Sequence, residues 1–354
     1  MKLAEFDYRL PEGLIAQYPI EKRDESRLLI INKKNGKVKH RIFSDISHFM
    51  EEGDVLVIND TKVIPARLFG EKETGGRVEV LIIRRFGGSR PEGDEEFQEW
   101  ECLIRSSKRP KEGSRIYFNE YLEAEVIENR SNGKWVVRFH PKGCFEEVLD
   151  KIGTVPLPPY IRRNGEPIDW QGDGERYQTV FARNKGAIAA PTAGFHFTEE
   201  LMSKIREKGV NIAYITVHIG LGTFKPIRVE DIENHVLEAE YFEIKPEAAS
   251  LVNEAKISGK RTIAVGTSTT RALESAANNG RTVRPASGYT RLFIYPGYQF
   301  KVVDVLITNL HLPQSTPLLM VSAFAGKALI KDVYERTVKA KYRFLSYGDG
   351  MMIH

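Results

Sequence analysis

The sequence predicts an α/β protein, a main α/β domain with a small β-barrel domain inserted into it. Three observations carry this. In the second half, apolar strands lead into loops of small and hydroxylic residues and then into helices. Between residues 70 and 150 the chain instead offers five short alternating runs separated by turn residues. A stretch with Pro156, Pro158, Pro159 and Pro167 follows, with the composition of a semi-rigid linker. The partition is residues 1–69 with 151–354 for the α/β domain, and 70–150 for the barrel.

Taken in order, residues 11–16 read as a short helical turn. Runs 27–32 and 37–43 flank Asn35-Gly36, a strong hairpin signal. Ser44 is placed to cap a brief helix ending near Gly53, and DVLVI (54–58) is a buried strand. Runs 77–85, 98–105, 114–118, 122–128 and 134–139 supply the barrel. FGGSRPEGDEE (86–96) is a polar surface loop, and 144–152 returns to helix. Ala187-Ile188-Ala189 reads as a buried strand. Thr198 then caps a helix with Glu199 and Glu200 in its first turn, ended by Gly209. Later strands are placed at 211–219, 261–265, 291–295 and 302–307, and helices at 246–258, 272–278 and from Pro317 onward. Residues 279–289 form a loop.

With 354 residues the chain can bury a substantial core in more than one domain. Its composition, 41% hydrophobic and 28% charged, is that of an ordinary globular protein. The N-terminus lacks the apolar segment of a signal peptide, and no apolar run reaches membrane-spanning length, the best being 317–325. Cys102 and Cys144 are too few for a disulfide framework or a cysteine-rich zinc site. A cytoplasmic protein without a membrane partner is expected. The net charge of +4 does not by itself identify a nucleic-acid partner; the basic clusters at 84–85, 108–111, 162–163 and 339–343 are the places to look.

Chemistry concentrates in four loops that each follow an apolar strand: around His196, after His218, at 266–271 and at 308–315. In an open α/β sheet the crevice at the carboxyl ends of the strands is where ligands bind. Thr192 and Gly194 on the first loop, Gly220 and Gly222 on the second, and Asn309 on the fourth are candidates to approach a ligand. Residues 266–271 (GTSTTR) place Gly266, Thr267 and Thr270 before a helix, where free N–H groups and hydroxyls hold an anion or ribose hydroxyls. Arg271 adds a planar fork for a carboxylate or phosphate. This is neither a dinucleotide fingerprint nor a Walker loop, and no GxSxG elbow is present. His196, His218 and His311 are the candidate proton carriers, with His235 nearby and Glu240 as a further possible base. HxH, HExxH and CxxC spacings are missing, so no metal is expected. Each loop alone also reads as a tight connection with a satisfied histidine; the convergence of four points to an active site.

At this point the residues carry a resemblance. DVLVINDTKVIPARLFG, VPLPPYI, RYQTVFA, AAPTAGFHFT, VHIGLGTFKPI, AVGTSTTRALES, FIYPGYQFKVVDVLITNLHLPQST, LLMVSAFAG and YRFLSYGD, in that order and nearly end to end, resemble the S-adenosylmethionine:tRNA ribosyltransferase-isomerases. The resemblance implies an α/β domain with an inserted barrel, and no prosthetic group. It implies transfer of the ribosyl part of S-adenosylmethionine, as co-substrate, onto 7-aminomethyl-7-deazaguanine at the wobble position of tRNA, giving epoxyqueuosine with release of adenine and methionine. It nominates His196, His218, Arg271 and His311 without separating their roles. Two positions depart from the family pattern. A second histidine that often stands near Glu238 is missing, which weakens His235 and Glu238 as catalytic groups, and GTSTTRALE permutes the usual Thr/Ser order. An S-adenosylmethionine-dependent RNA methyltransferase and a non-catalytic tRNA-binding protein are the alternatives.

Overall fold

The structure is a computed structural model describing residues 1–86, 97–130, 133–163, 172–220, 222, 226–278 and 280–354. The polar loop at 86–96 (Phe86 apart), the end of the proline-rich stretch past Arg163, and Leu221, Thr223 and Phe224 after His218 lie outside the described residues. The chain divides into two compact units. One comprises Met1–Lys62, Pro158–Asn164 and Arg176–His354, the other Val63–Leu157 and Gly165–Glu175.

β1 (Arg27–Ile31) and β2 (Val38–Ile42) form the expected hairpin, with Gly36 at φ +69°. The brief helix that follows is a 3-10 helix at Phe43–Phe49, and it begins without a side-chain cap from Ser44. β3 (Val55–Asn59) leads to β4 (Thr61–Val63). The second unit is a closed six-stranded barrel: β5 (Arg67–Lys72), β6 (Arg77–Arg85), β7 (Gln98–Ser106), β8 (Arg115–Asn119), β9 (Leu122–Asn129) and β10 (Lys134–Pro141), in the order β10-β7-β6-β5-β8-β9. The five expected runs are all strands. The sixth, β5, was hidden because ARLFGEK lacks alternation and carries Gly70. The composition change at Gly70 therefore lies inside the first barrel strand. α1 (Phe145–Ile152) follows the barrel.

After the single turn α2 (Asp173–Arg176), β11 (Asn184–Ala187) pairs with β4 in a separate two-stranded sheet. The apolar run expected as a strand at 187–189 contributes only its first residue to β11; Ala189 makes one bridge to Ile219. α3 (Glu199–Glu207) starts as read, with the Thr198 hydroxyl accepting from the Leu201 N–H at 3.1 Å, and Gly209 (φ +80°) follows its end. Then come β12 (Asn211–His218), β13 (Glu240–Ile244), α4 (Pro246–Ile257), β14 (Thr262–Val265), α5 (Thr267–Ser275), β15 (Ala286–Thr290), β16 (Val305–Asn309), α6 (Thr316–Ala325), α7 (Lys327–Lys339) and β17 (Gly350–Ile353).

Nine of these strands make the main sheet, ordered β15-β13-β12-β3-β14-β16-β17-β1-β2. Its centre, β12-β3-β14-β16, is parallel, while β17 runs antiparallel to β16. The continuous apolar strands follow from cover on both faces. On β3, Val55 and Val57 enter one core with Ala264, Leu306 and Ile215; Leu56 and Ile58 enter the other with Ile263, Ile307 and Leu201. A one-residue slip would exchange these two sets, so burial on both faces fixes the register.

Three expectations fail here. Residues 291–295 are irregular rather than a strand, and the end of the loop at 279–289 is the edge strand β15. Most consequentially, the helix expected from Ala272 starts at Thr267. Gly266 turns the chain at φ +94°, so the hydroxylic run forms the first turn of α5 rather than a loop before it.

Candidate active site

The parallel strands β3, β12, β14 and β16 end at one edge of the sheet, where β17 begins opposite Asn309. A cavity of about 430 Å³ opens there. Its walls come from residues 190–193, the first turn of α5 and the 308–317 segment, with Tyr160, Phe293 and Leu345 closing other sides. Among the described lining residues, Arg271 is the one permanently charged side chain.

Arg271 reaches the cavity from the second turn of α5 and is 7% exposed. Its Nη1 donates to Glu240 Oε2 at 2.6 Å, and its Nε donates to the Leu292 carbonyl at 2.9 Å. Its Nη2 is buried without a partner. A buried donor left unpaired costs about 1–3 kcal/mol, so the wall carries a demand that a ligand oxygen would meet. Gly266, Thr267 and Ser268 line the same cavity, at the positive end of α5, whose first-turn N–H groups have no intrahelical acceptors. Thr270 does not join them: it is fully buried, and its hydroxyl donates to the Gly266 carbonyl at 3.1 Å.

Across from α5, Asn309 ends β16 and is held on three sides. Thr192 Oγ1 donates to its Oδ1 at 3.1 Å, and its Nδ2 lies 3.2 Å from the Leu345 carbonyl and 3.1 Å from His196 Nε2. An amide nitrogen only donates, so His196 Nε2 accepts, and Nδ1–H then donates to Ser26 Oγ at 2.7 Å. The imidazole stacks on Phe43 with centroids 4.6 Å apart. Burial, with Arg23 and Arg343 adding positive charge, pushes its pKa down to about 3. His196 is thus a neutral group behind the cavity wall rather than a proton carrier near pH 7.

His311 lines the cavity itself. Its Nε2 lies 3.1 Å from Thr308 Oγ1, its N–H donates to Tyr334 Oη at 3.2 Å, and the Tyr8 hydroxyl donates to its carbonyl. Burial pushes its imidazole down to about 3 as well. His218 sits on the opposite face of β12 from Val217, bonded to Thr61 Oγ1 at 2.8 Å and stacked on Tyr241 at 5.4 Å. Burial lowers its pKa. Of that segment it is Ile219, not His218, Gly220 or Gly222, that reaches the cavity. Gly220 offers its N–H to Glu240 Oε1 at 3.4 Å, and a Cβ at Gly222 would come within 2.9 Å of Glu238. Gly194 is a packing glycine: a Cβ there would meet Thr179 at 2.7 Å and the Phe181 ring at 2.8 Å.

The model of the queuosine biosynthesis protein family matches residues 3–353. The chain belongs to this family. It is 50% identical to a protein of Acetivibrio thermocellus and 49% identical to one of Carboxydothermus hydrogenoformans, in each case over the full length of both chains, and both are named S-adenosylmethionine:tRNA ribosyltransferase-isomerase. A crystal structure named S-adenosylmethionine tRNA ribosyltransferase, from Thermotoga maritima, is 34% identical and superimposes with a TM-score of 0.55, covering 99% of this chain and all of that one.

Of the residues singled out in sequence, this queuosine-family chain brings Thr192, Gly266, Thr267, Arg271, Asn309 and His311 to one cavity and leaves His196, His218, Gly194, Gly220, Gly222 and Thr270 off its wall. Sequence reasoning missed Tyr160 and Ser346, which line the cavity and are joined through their hydroxyls at 2.7 Å. The signal was present in VPLPPYI and YRFLSYGD, but a proline-rich stretch reads as linker. Among the described residues no group of three or more His, Cys, Asp or Glu is arranged to hold a metal ion, and no helix is long and apolar enough to cross a membrane.

The two buried imidazoles set an acid limit on stability. Unfolded, each titrates near 6.5; folded, each titrates near 3. Their contribution is fully present above pH 6.5 and is lost as pH falls toward 3, at about 1.4 kcal/mol per pH unit for each. Denaturant unfolding between pH 6 and 5 should therefore show a steep loss of stability, and His196→Gln should reduce the slope by about one proton. An unchanged slope would mean that His196 is protonated in the folded protein.

Proposed function

We propose that this chain transfers and isomerises the ribosyl moiety of S-adenosylmethionine onto 7-aminomethyl-7-deazaguanine at the wobble position of tRNA, giving epoxyqueuosine and releasing adenine and methionine. The single observation that carries the reading to this cavity is Arg271, whose buried Nη2 stands unpaired beside the start of α5. That pairing of a cation with a helix N-terminus suits the carboxylate of the methionyl part. The cavity's volume falls in the range of pockets for ligands of that size.

The remaining wall then serves the adenosyl part. Thr192 and Thr308 offer hydroxyls, and Asn309 the remaining lone pair of its Oδ1, for ribose hydroxyls. The sulfonium acidifies the adjacent C5′ hydrogens, so a modest base suffices to begin the reaction. His311 is the imidazole on the wall; burial holds it neutral and Thr308 Oγ1 lies 3.1 Å from its Nε2, so it serves there as a hydrogen-bonding group beside the adenosyl part rather than as the base. Glu240, engaged by Arg271, orients that guanidinium. No resident metal or prosthetic group is required, and activity should survive exhaustive chelation once magnesium effects on tRNA folding are controlled. The test is product analysis with S-adenosylmethionine and substrate tRNA. Free adenine and methionine are expected only when both are present; S-adenosylhomocysteine would point to a methyltransferase, and no small-molecule product to a binding protein.

A further inference from the structure

The barrel unit carries a recess of its own, formed where its seam is weakest. β5 and β8 pair only at Glu71↔Tyr117 and Lys72↔Ile116. At Gly70 β5 lies so close against β8 that a Cβ would come within 2.6 Å of the Tyr117 carbonyl and 2.8 Å of the Phe118 ring. Beside this seam lies a groove of about 900 Å³ walled by β5, β6, β7 and β8. Two aromatic rings stand exposed in it, Phe69 at 37% and Tyr117 at 41%.

The groove's lining carries two carboxylates, Glu71 and Glu79, and two guanidinium groups, Arg77 and Arg105, with Glu71 opposite Arg77 in the β5–β6 register. Glu79 is paired with Arg67 at 2.8 Å, whereas the Arg77 and Arg105 guanidinium groups form no ion pair or hydrogen bond with any described residue. Ser106, in the groove wall, donates to the Lys108 carbonyl at 2.7 Å, and Lys72 Nζ donates to the same oxygen at 2.7 Å, so Lys72, Lys108 and Arg109 extend the cationic surface at that end. By contrast, two other basic clusters are already engaged: Arg84 pairs with Glu101 at 3.0 Å and Arg162 with Glu12 at 2.7 Å.

We propose that this groove binds a single-stranded segment of the RNA substrate, stacking an unpaired base on Tyr117 or Phe69 while Arg77 and Arg105 take phosphates. It rests on reading the substrate as tRNA. Rings exposed between unpaired guanidinium groups suit bases and phosphates of one strand, because every base offers a π-face and every linkage a charge. A protein partner is the poorer occupant, since the centre of a protein interface is depleted of charge.

The experiment uses the full chain and a labelled twelve-nucleotide single-stranded RNA, followed by fluorescence anisotropy between 50 and 200 mM salt, with S-adenosylmethionine binding and adenine release measured in parallel. Tyr117→Leu should weaken RNA binding roughly five- to a hundredfold. Arg77→Ser with Arg105→Ser should flatten the log–log salt slope by about 1.4, two phosphate contacts on a single strand. Lys108→Ala with Arg109→Ala should flatten it further, and all variants should bind S-adenosylmethionine as the parent does. Parental affinity and slope in every variant would overturn the proposal, as would a parent that does not bind the oligonucleotide at 50 mM salt. A parent that binds the oligonucleotide yet releases no adenine when given S-adenosylmethionine and substrate tRNA defeats the transferase reading and leaves the groove standing.

Discussion

Arg271→Ala is expected to raise KM for S-adenosylmethionine by roughly ten- to a hundredfold, the loss of a charge-assisted contact through Nη2 of about 1.5–3 kcal/mol, with a smaller effect on kcat. The same substitution takes from Glu240, which is 4% exposed, its salt-bridge partner at 2.6 Å. Breaking a buried pair from one side costs about 3–5 kcal/mol, so the thermal midpoint should fall by roughly 10 °C. Arg271→Lys separates the two effects. A lysine keeps a charge for Glu240 but lacks the second Nη that stands unpaired in the parent. Stability should largely return and KM should not. A lysine variant with parental KM would show that the unpaired Nη2 holds no part of the substrate.

The second large effect is expected at His196, although it touches no substrate. Its Nε2 fixes the Asn309 amide, whose Oδ1 in turn accepts from Thr192 on the cavity wall. His196→Ala frees both residues to rotate. A displacement of about 1 Å in a positioning group can cost on the order of a hundredfold in rate, and a fall in kcat approaching that size is expected. Because the imidazole is already neutral across the physiological range, the pH profile of kcat should keep its shape in the variant. His196→Gln supplies an acceptor oxygen for the Asn309 amide and should recover much of the loss. Failure of glutamine to rescue, together with a lost inflection near neutral pH, would make His196 the proton carrier instead.

Much of the architecture was legible because it is written in local chemistry. The Asn35-Gly36 hairpin, the Thr198 cap and the doubly buried β3 each follow from a few neighbouring residues. The elements that escaped depend on partners far along the chain. β17, the sequence GMMI, has no local signature and exists through β16 and β1. β15 is an edge strand of small residues stabilised by β13. At the site, the hydroxylic run before Arg271 was recognised as ligand-facing, but the positive φ of Gly266 turns the chain so that α5 starts at Thr267 and takes the run into its first turn, against its low helix propensity. Which histidines face the cavity was not readable, because strand alternation turns His218 away and the 3-10 helix at Thr192–His196 tucks His196 behind Asn309.

The most direct measurement follows two labels on S-adenosylmethionine, one in the ribose carbons and one in the S-methyl group, during incubation with tRNA bearing 7-aminomethyl-7-deazaguanine. Ribosyl transfer places the ribose label on the RNA, at one group per tRNA, and leaves the methyl label in free methionine. The methyl label on the RNA, with the ribose label retained in S-adenosylhomocysteine, would contradict it.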